Sequence, residues 1–153
     1  MPSNLVRLLV IVVFAFLVGA VRAQQAEQRP SQVELDETVK IYCDAWSEMD
    51  VDKRRQLLER VWVEEGAYTD PVSHVEGRDA LVNRITAHFQ KFPGTQIVPS
   101  SHVDLHHGMI RFTWKFIGAD GKVRNEGIDF GELTSDGRLS KIVGFFGPVK
   151  PLQ

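Results

Sequence analysis

The sequence predicts an α+β fold, with helices first and an antiparallel sheet second. Three observations predict it: apolar residues recur at three- and four-residue steps up to Phe92, a β pattern takes over from Thr95 onward, and His107-Gly108, Asp120-Gly121 and Asp136-Gly137 punctuate the second half as tight turns. Segregation of this kind sets the helices against one face of a single sheet. With 153 residues, 43% hydrophobic and 25% charged, one core suffices. A formal net charge of -2 with mixed signs provides no basic stripe for a phosphate backbone, so nucleic acid is not an expected partner.

The N-terminal segment stands apart. Arg7 precedes an apolar run from Leu8 to Val21, and Val21-Arg22-Ala23 leads into polar Gln24, the pattern of a secretory signal cut after Ala23. A run of about 14 residues falls short of the about 20 that a helix needs to cross a bilayer core. Export to the periplasm or the medium is expected. An uncleaved membrane anchor is the alternative, because Arg22 is awkward just before a cut. Removing Arg7 and Arg22 from the 18 basic residues leaves 16 against 20 acidic ones, a formal -4. Residues 24–32 read as a flexible linker, 33–149 as the domain and 150–153 as a tail. The single cysteine, Cys43, cannot form an internal disulfide and lies in an apolar helical pattern, so it reads as a small buried hydrophobe.

Leu35, Val39, Tyr42, Trp46 and Met49 form one stripe of the first helix. Asp52 is placed to cap a second helix carrying Leu57, Leu58, Val61 and Trp62, ending near Glu65-Gly66. A short strand, Ala67 to Asp70, is closed by Pro71. After Gly77 comes a third helix with Leu81, Val82, Ile85, Phe89 and Phe92, ended by Pro93-Gly94. Strands are expected near 95–106, 109–117, 122–134 and 138–147.

Two-residue turns fix register, and register fixes which side chains share a face. A turn at His107-Gly108 pairs Leu105 with Ile110 and Val103 with Phe112, so Val103, Leu105, Ile110, Phe112, Trp114 and Phe116 line one face. A two-residue turn at Asp120-Gly121 sets Asp129 opposite Phe112 and Gly127 opposite Trp114, a parity that a four-residue turn keeps and a three-residue one reverses, and the last hairpin adds Ile142, Gly144 and Phe146. Asp129 is then a carboxylate among aromatics, where desolvation raises the pKa. A buried Asp that merely satisfies a backbone group is the structural alternative. His102, Asp104, His106, Arg111, Thr113 and Lys115 share the wet face, so the His and Asp at alternate positions read as solvated rather than metal-binding, and no metal is expected. His74 and His88 receive no role. Further along that outer face, Ile128, Phe130, Val143 and Phe145 form an apolar patch, for which a second copy of the chain is the simplest partner.

Asp70 ends the run Tyr68-Thr69-Asp70-Pro71-Val72, with Tyr68 on the same face by the two-residue period of a strand. That run, Gly77 at the head of a helix, Gly127-Ile128-Asp129-Phe130, the Asp136-Gly137 turn and Phe145-Phe146-Gly147 resemble the nuclear transport factor 2-like superfamily, which includes SnoaL-like proteins and ketosteroid isomerase. The resemblance spans roughly residues 35–149. It implies a cystatin-like α+β roll, a cone-shaped curved antiparallel sheet wrapped around three N-terminal helices, with a cavity for small apolar molecules.

In ketosteroid isomerase an Asp base moves a proton while a tyrosine and a protonated Asp stabilise the enolate oxygen. Carried onto matching positions, Asp70 is the base and Asp129 the neutral donor. The matching stretch for the tyrosine falls near Ala45-Trp46, where no phenol stands; Tyr42, one turn earlier, and Tyr68 are the two that could substitute. The Asp-Arg-Asp group of epoxide hydrolases on this fold is not apparent, since Arg111 is on the outer face. The resemblance thus implies a cofactor-free isomerase, lyase or cyclase for a small hydrophobic carbonyl compound. Its catalytic residues would be Asp70, Asp129 and Tyr68, and Tyr42, Trp46, Phe112, Trp114, Phe116 and Phe146 would bind substrate. A non-catalytic exported binding protein using the same pocket is the alternative.

Overall fold

A computed structural model describes residues 30–152. The expected signal at 1–23 and most of the linker lie outside the described residues. Ser31 and Gln32, given to the linker by composition, instead begin the first helix, α1 (Gln32–Ala45). The Ser31 hydroxyl accepts from the Glu34 amide while the Glu34 carboxylate accepts from the Ser31 amide, a reciprocal cap at the helix start. Leu35, Val39 and Tyr42 face inward as the stripe requires, and Trp46 caps the C-terminus. Met49 lies beyond the helix and is exposed.

Asp50, not Asp52, caps α2 (Val51–Val61), accepting from the Lys53 amide at 3.0 Å. Capping at Asp50 turns Arg54, Leu58 and Val61 inward. Arg54 is fully buried because the fold supplies acceptors for its fork: Glu48 O at 2.8 and 3.0 Å, Met49 O at 3.2 Å and Thr86 Oγ1 at 2.7 Å. Its guanidinium therefore ties the α1–α2 connection to the third helix.

Trp62, expected as the end of the second helix, adopts extended backbone and opens β1 (Trp62–Asp70), much longer than the strand expected from Ala67. The register slips between Trp62 and Ala67, a bulge where Gly66 packs against the Trp62 indole with no room for a Cβ. A two-residue turn at Pro71-Val72 then forms a hairpin to β2 (Ser73–Glu76), which composition gave no reason to expect. Gly77, at φ 90°, leads into α3 (Arg78–Lys91), whose buried residues are Leu81, Val82, Ile85 and Phe89.

The strand expected across 95–106 is two, β3 (Gln96–Pro99) and β4 (Asp104–His106), both paired to β5 (Met109–Ile117). The intervening residues add two to the register, an even number, so Ile97 opposite Phe116 and Leu105 opposite Ile110 stay on one face. β6 (Val123–Leu133) and β7 (Leu139–Phe146) complete the sheet in the order β2-β1-β7-β6-β5-β3, with β4 beside β5. Every neighbouring pair is antiparallel except β1 and β7, which run parallel, so the curled, open sheet is mixed where a wholly antiparallel one was expected. Parallel neighbours need a long connection, and α3 with β3–β6 provides it.

The helices and the inner sheet face enclose a core of Leu58, Trp62, Leu81, Ile85, Phe112, Leu139 and Ile142. On the outer face Phe130 and Phe145 meet edge to face at 6.2 Å and remain exposed. Asp104 pairs with Arg111 on that face, whereas His102, expected beside them, precedes β4 and pairs with Asp36 of α1.

Candidate active site

A cavity of roughly 570 Å³ opens between α1, α3 and the inner face of the sheet. Exposed Val72, Phe92 and Phe146 stand at its rim, and the apolar part of its wall is mainly aromatic. A volume in this range suits a small, mostly apolar ligand.

Asp129 reaches the cavity from the middle of β6. It lies opposite Phe112 on β5, as register requires, and opposite Gly144 on β7. Two glycines make space for it. A Cβ at Gly127 would collide with the Trp114 indole, and one at Gly144 would stand 2.8 Å from Asp129 Oδ1. Across the bare backbone of Gly127, Trp114 Nε1 donates to Asp129 Oδ1 at 2.7 Å. The other oxygen, Oδ2, has no partner among the described residues. Burial raises the pKa of this carboxyl to about 7, partly offset by the Trp114 hydrogen bond and reinforced by the negative charge of Asp70.

Asp70 enters from the end of β1 and is held very differently. Oδ1 accepts from the Val72 amide at 2.8 Å, the Ser73 amide at 2.7 Å and the Ser73 hydroxyl at 3.1 Å, which fixes the β1–β2 turn. Oδ2 accepts from Tyr68 Oη at 2.8 Å and Arg84 Nη2 at 3.2 Å. Arg84, from α3, also donates to Ser73 Oγ at 2.7 Å and lies 5.6 Å from the Trp46 ring centre. Asp70 is thus a buried carboxylate compensated by five donors, one of them a guanidinium. Gly144 lies between the two acids, its position for a Cβ 3.9 Å from Asp70 Cβ, so no side chain screens one charge from the other.

The two tyrosines are now distinguishable. Tyr68 spends its hydroxyl on Asp70, and burial together with that charge raises its pKa strongly. Tyr42, from α1, stacks on Trp62 at 5.8 Å and meets the edge of Phe112 at 6.4 Å. It lines the cavity with no carboxylate accepting its hydroxyl, and burial followed by the charge of Asp129 holds it protonated. Of the two tyrosines weighed as substitutes for the phenol that the resemblance would set near Ala45-Trp46, Tyr42 lines the cavity with its hydroxyl uncommitted to a carboxylate, and Tyr68 is held by Asp70. Trp46 adds a buried indole Nε1 without a hydrogen-bond partner among the described residues.

Of the residues expected to bind substrate, Tyr42, Trp46, Trp114, Phe116 and Phe146 line the cavity. Phe112 does not: it shares their face but is sealed beneath Tyr42, one layer deeper. Sequence reasoning missed Ser73, Arg84, His88 and Asn125, all in the wall. Arg84, Ala87, His88 and Lys91 recur at i, i+3, i+4 and i+7 beside the apolar stripe of α3, a flank that reads as solvent-facing until the sheet curls over it. Among the described residues no group of three or more His, Cys, Asp or Glu is placed to hold a metal.

The sequence family description "SnoaL-like domain" matches residues 39–142. Comparison with curated proteins gives no match. Among solved structures, a candidate isomerase of the SnoaL-like family from Agrobacterium tumefaciens is 34% identical, with 76% of this chain and 99% of that one covered at a TM-score of 0.71. A candidate SnoaL-like polyketide cyclase from Jannaschia sp. is 16% identical over 78% of this chain and 90% of that one, TM-score 0.60. A cystatin-like protein of unknown function from Methylobium petroleophilum is also 16% identical, covering 79% of this chain and 80% of that one, TM-score 0.62. The last two share the fold alone.

Proposed function

The chain belongs to the SnoaL-like domain family, and from that premise we propose that it is a proton-transfer enzyme, an isomerase, lyase or cyclase acting on a small hydrophobic carbonyl compound. The observation that carries this is Asp129: a carboxyl sunk between two glycines, one oxygen tied to Trp114 and the other open to an apolar cavity, with its pKa raised to about 7. A carboxylic acid kept neutral by burial can donate a hydrogen bond to a developing oxyanion. Tyr42 supplies the second donor. Removal of a proton next to the carbonyl would shift charge onto that oxygen, where two preorganised donors in a water-poor site lower the barrier.

Asp70, the expected base, would have to give up one of its five donors to accept a proton. In the resting protein its negative charge instead adds to burial, the larger cause, in raising the pKa of Asp129. Conversion of 3-cyclohexenone to its conjugated isomer tests the proposal, because it needs only a base and an oxyanion site and is followed by ultraviolet absorbance. Catalysis by the wild type and its loss, by about a hundredfold, in Asp129→Leu are expected. Absence of turnover alongside tight pocket binding of 2-naphthol, a planar phenol resembling a dienol, would leave the binding-protein alternative standing.

Export and self-association are part of the same proposal. The N-terminal pattern supports export, tested by mass spectrometry of the mature N-terminus. The exposed Phe130–Phe145 patch supports a dimer joined through the outer sheet face, tested by light scattering.

A further inference from the structure

We propose that His88 is the group that takes and returns the proton in this cavity, through Nδ1. The inference rests on the proton-transfer function above and adds to it the identity of the base. His88 stands in the last turn of α3 and its ring lines the cavity wall. Its tautomer can be deduced from hydrogen bonding. Thr95 Oγ1 donates its only proton to Phe92 O at 2.8 Å, so toward His88 Nε2, 3.3 Å away, that oxygen can only accept. Nε2 therefore carries the hydrogen, and the lone pair sits on Nδ1, which has no partner among the described residues. A relay of ring N–H to hydroxyl to backbone carbonyl fixes the imidazole as a base in the way that a carboxylate often does elsewhere.

The surroundings keep the ring neutral and make its charged form attainable. Trp46 of α1 and Phe116 of β5 meet it edge to face at 5.8 and 5.5 Å, and Phe92 lies 5.3 Å away. The charged groups around it are Arg84, one turn back on α3, Lys91 on the same wall and Asp70 behind Arg84; Asp129 shares the cavity. Burial, then Arg84, lowers the pKa below that of free imidazole, with Asp70 opposing. The position in the last turn of a helix favours the imidazolium formed in the reaction. Among the pocket acceptors, His88 Nδ1 is open, whereas both oxygens of Asp70 are filled.

In the step itself the C–H bond adjacent to the carbonyl breaks and its electron pair moves into the neighbouring C–C bond. The carbonyl π pair moves onto oxygen, held by Tyr42 and Asp129. Nδ1 holds the proton as imidazolium; as the oxygen pair re-forms the carbonyl, the double bond shifts into conjugation and the π pair at the γ carbon takes the proton back from Nδ1, so that His88 ends neutral and nothing is consumed.

The experiment combines two readouts on the mature chain. Nitrogen-15 NMR of the histidine rings should show His88 as the Nε2–H tautomer, and Thr95→Val should replace that signal with a mixture; a protonated Nδ1 in the neutral resting protein overturns the proposal. In the 3-cyclohexenone assay His88→Gln should lower kcat by about a hundredfold or more, the range for losing a general base, with a far smaller change in 2-naphthol affinity, since the oxyanion donors Tyr42 and Asp129 are intact. Retention of kcat in His88→Gln with its loss in Asp70→Asn would assign the base to Asp70 instead. A wild type that binds naphthol but turns over no ketone refutes the proton-transfer function and this role with it, whereas an active wild type indifferent to His88 refutes this role alone.

Discussion

Asp129→Asn should leave stability nearly unchanged at pH 4 and raise it relative to wild type as the pH climbs to 8. The substitution keeps the shape and an oxygen to accept from Trp114 Nε1, and it removes one proton-binding site. In the unfolded chain that carboxyl ionises near the ordinary value of 3.8; in the fold, burial carries it to about 7. Below about pH 4 both states hold the proton and its stabilising contribution is complete. Between about pH 4 and pH 7 only the folded state retains it, so wild-type stability falls by about 1.4 kcal/mol per pH unit. Above about pH 7 both states are ionised and the loss, about 4 kcal/mol in all, is finished. The lowered carboxyls, Glu34, Asp36, Asp50 and Asp136, push the other way, but they are common to both proteins and cancel in the difference. Urea unfolding of wild type and variant from pH 4 to pH 8 measures it: the variant should gain about 4 kcal/mol relative to wild type across that span. Parallel profiles would show that Asp129 titrates normally and would end its role as a neutral donor.

Other perturbations test the rest of the site. Arg84→Met leaves the Asp70 carboxylate buried without its guanidinium and should cost about 3 kcal/mol in chemical denaturation; no change would show that the turn and Tyr68 alone compensate it. Gly144→Ala puts a methyl against Asp129 Oδ1 and should destabilise by about 1–3 kcal/mol while weakening 2-naphthol binding. Tyr42→Phe should lower naphthol affinity about tenfold and Tyr68→Phe much less, since only the Tyr42 hydroxyl is uncommitted to a carboxylate; equal effects would remove the distinction between the phenols. Phe145→Glu should abolish any dimer seen by light scattering without altering the pocket.

The inner face of the sheet was legible because its register depends on short-range chemistry. His107-Gly108 is the expected two-residue turn with positive φ at both residues, whereas Asp120-Gly121 and Asp136-Gly137 sit in three-residue loops closed at Gly118/Lys122 and Thr134/Arg138, with positive φ at the glycine alone. One-residue slips at Phe116/Ile117 and Glu132/Leu133 undo the change of parity that a three-residue loop brings, and so Asp129 still lies opposite Phe112 and Gly144. Depth was not legible: Phe112 and Trp114 share a face, yet one is sealed under Tyr42 and the other touches the cavity. Nor was the start of β1, because Val61-Trp62-Val63 suits a helix end and a buried strand alike, and only the bulge at Gly66 with its tertiary partner decides between them. β2 was hidden because its turn is stabilised by the Asp70 side chain, a contact that Pro71 alone does not announce. Arg84 and His88 escaped because a polar helix flank becomes a pocket wall only once a sheet curls past it.

The parallel pairing of β1 with β7 has a consequence for the order in which the site comes into being. Asp70 belongs to the first strand and Asp129 to the sixth, and the strand that joins them is the last. During synthesis the β1–β2 hairpin and the β3–β6 portion can each exist before Gly144 has left the ribosome, but the two acids become neighbours only when β7 slots between them. Such non-local closure is slow relative to helix and hairpin formation. Burial of the Asp129 carboxyl beside Asp70 thus depends on the last strand, and a chain cut within β7 would keep most of its residues and lose the coupling between its acids altogether.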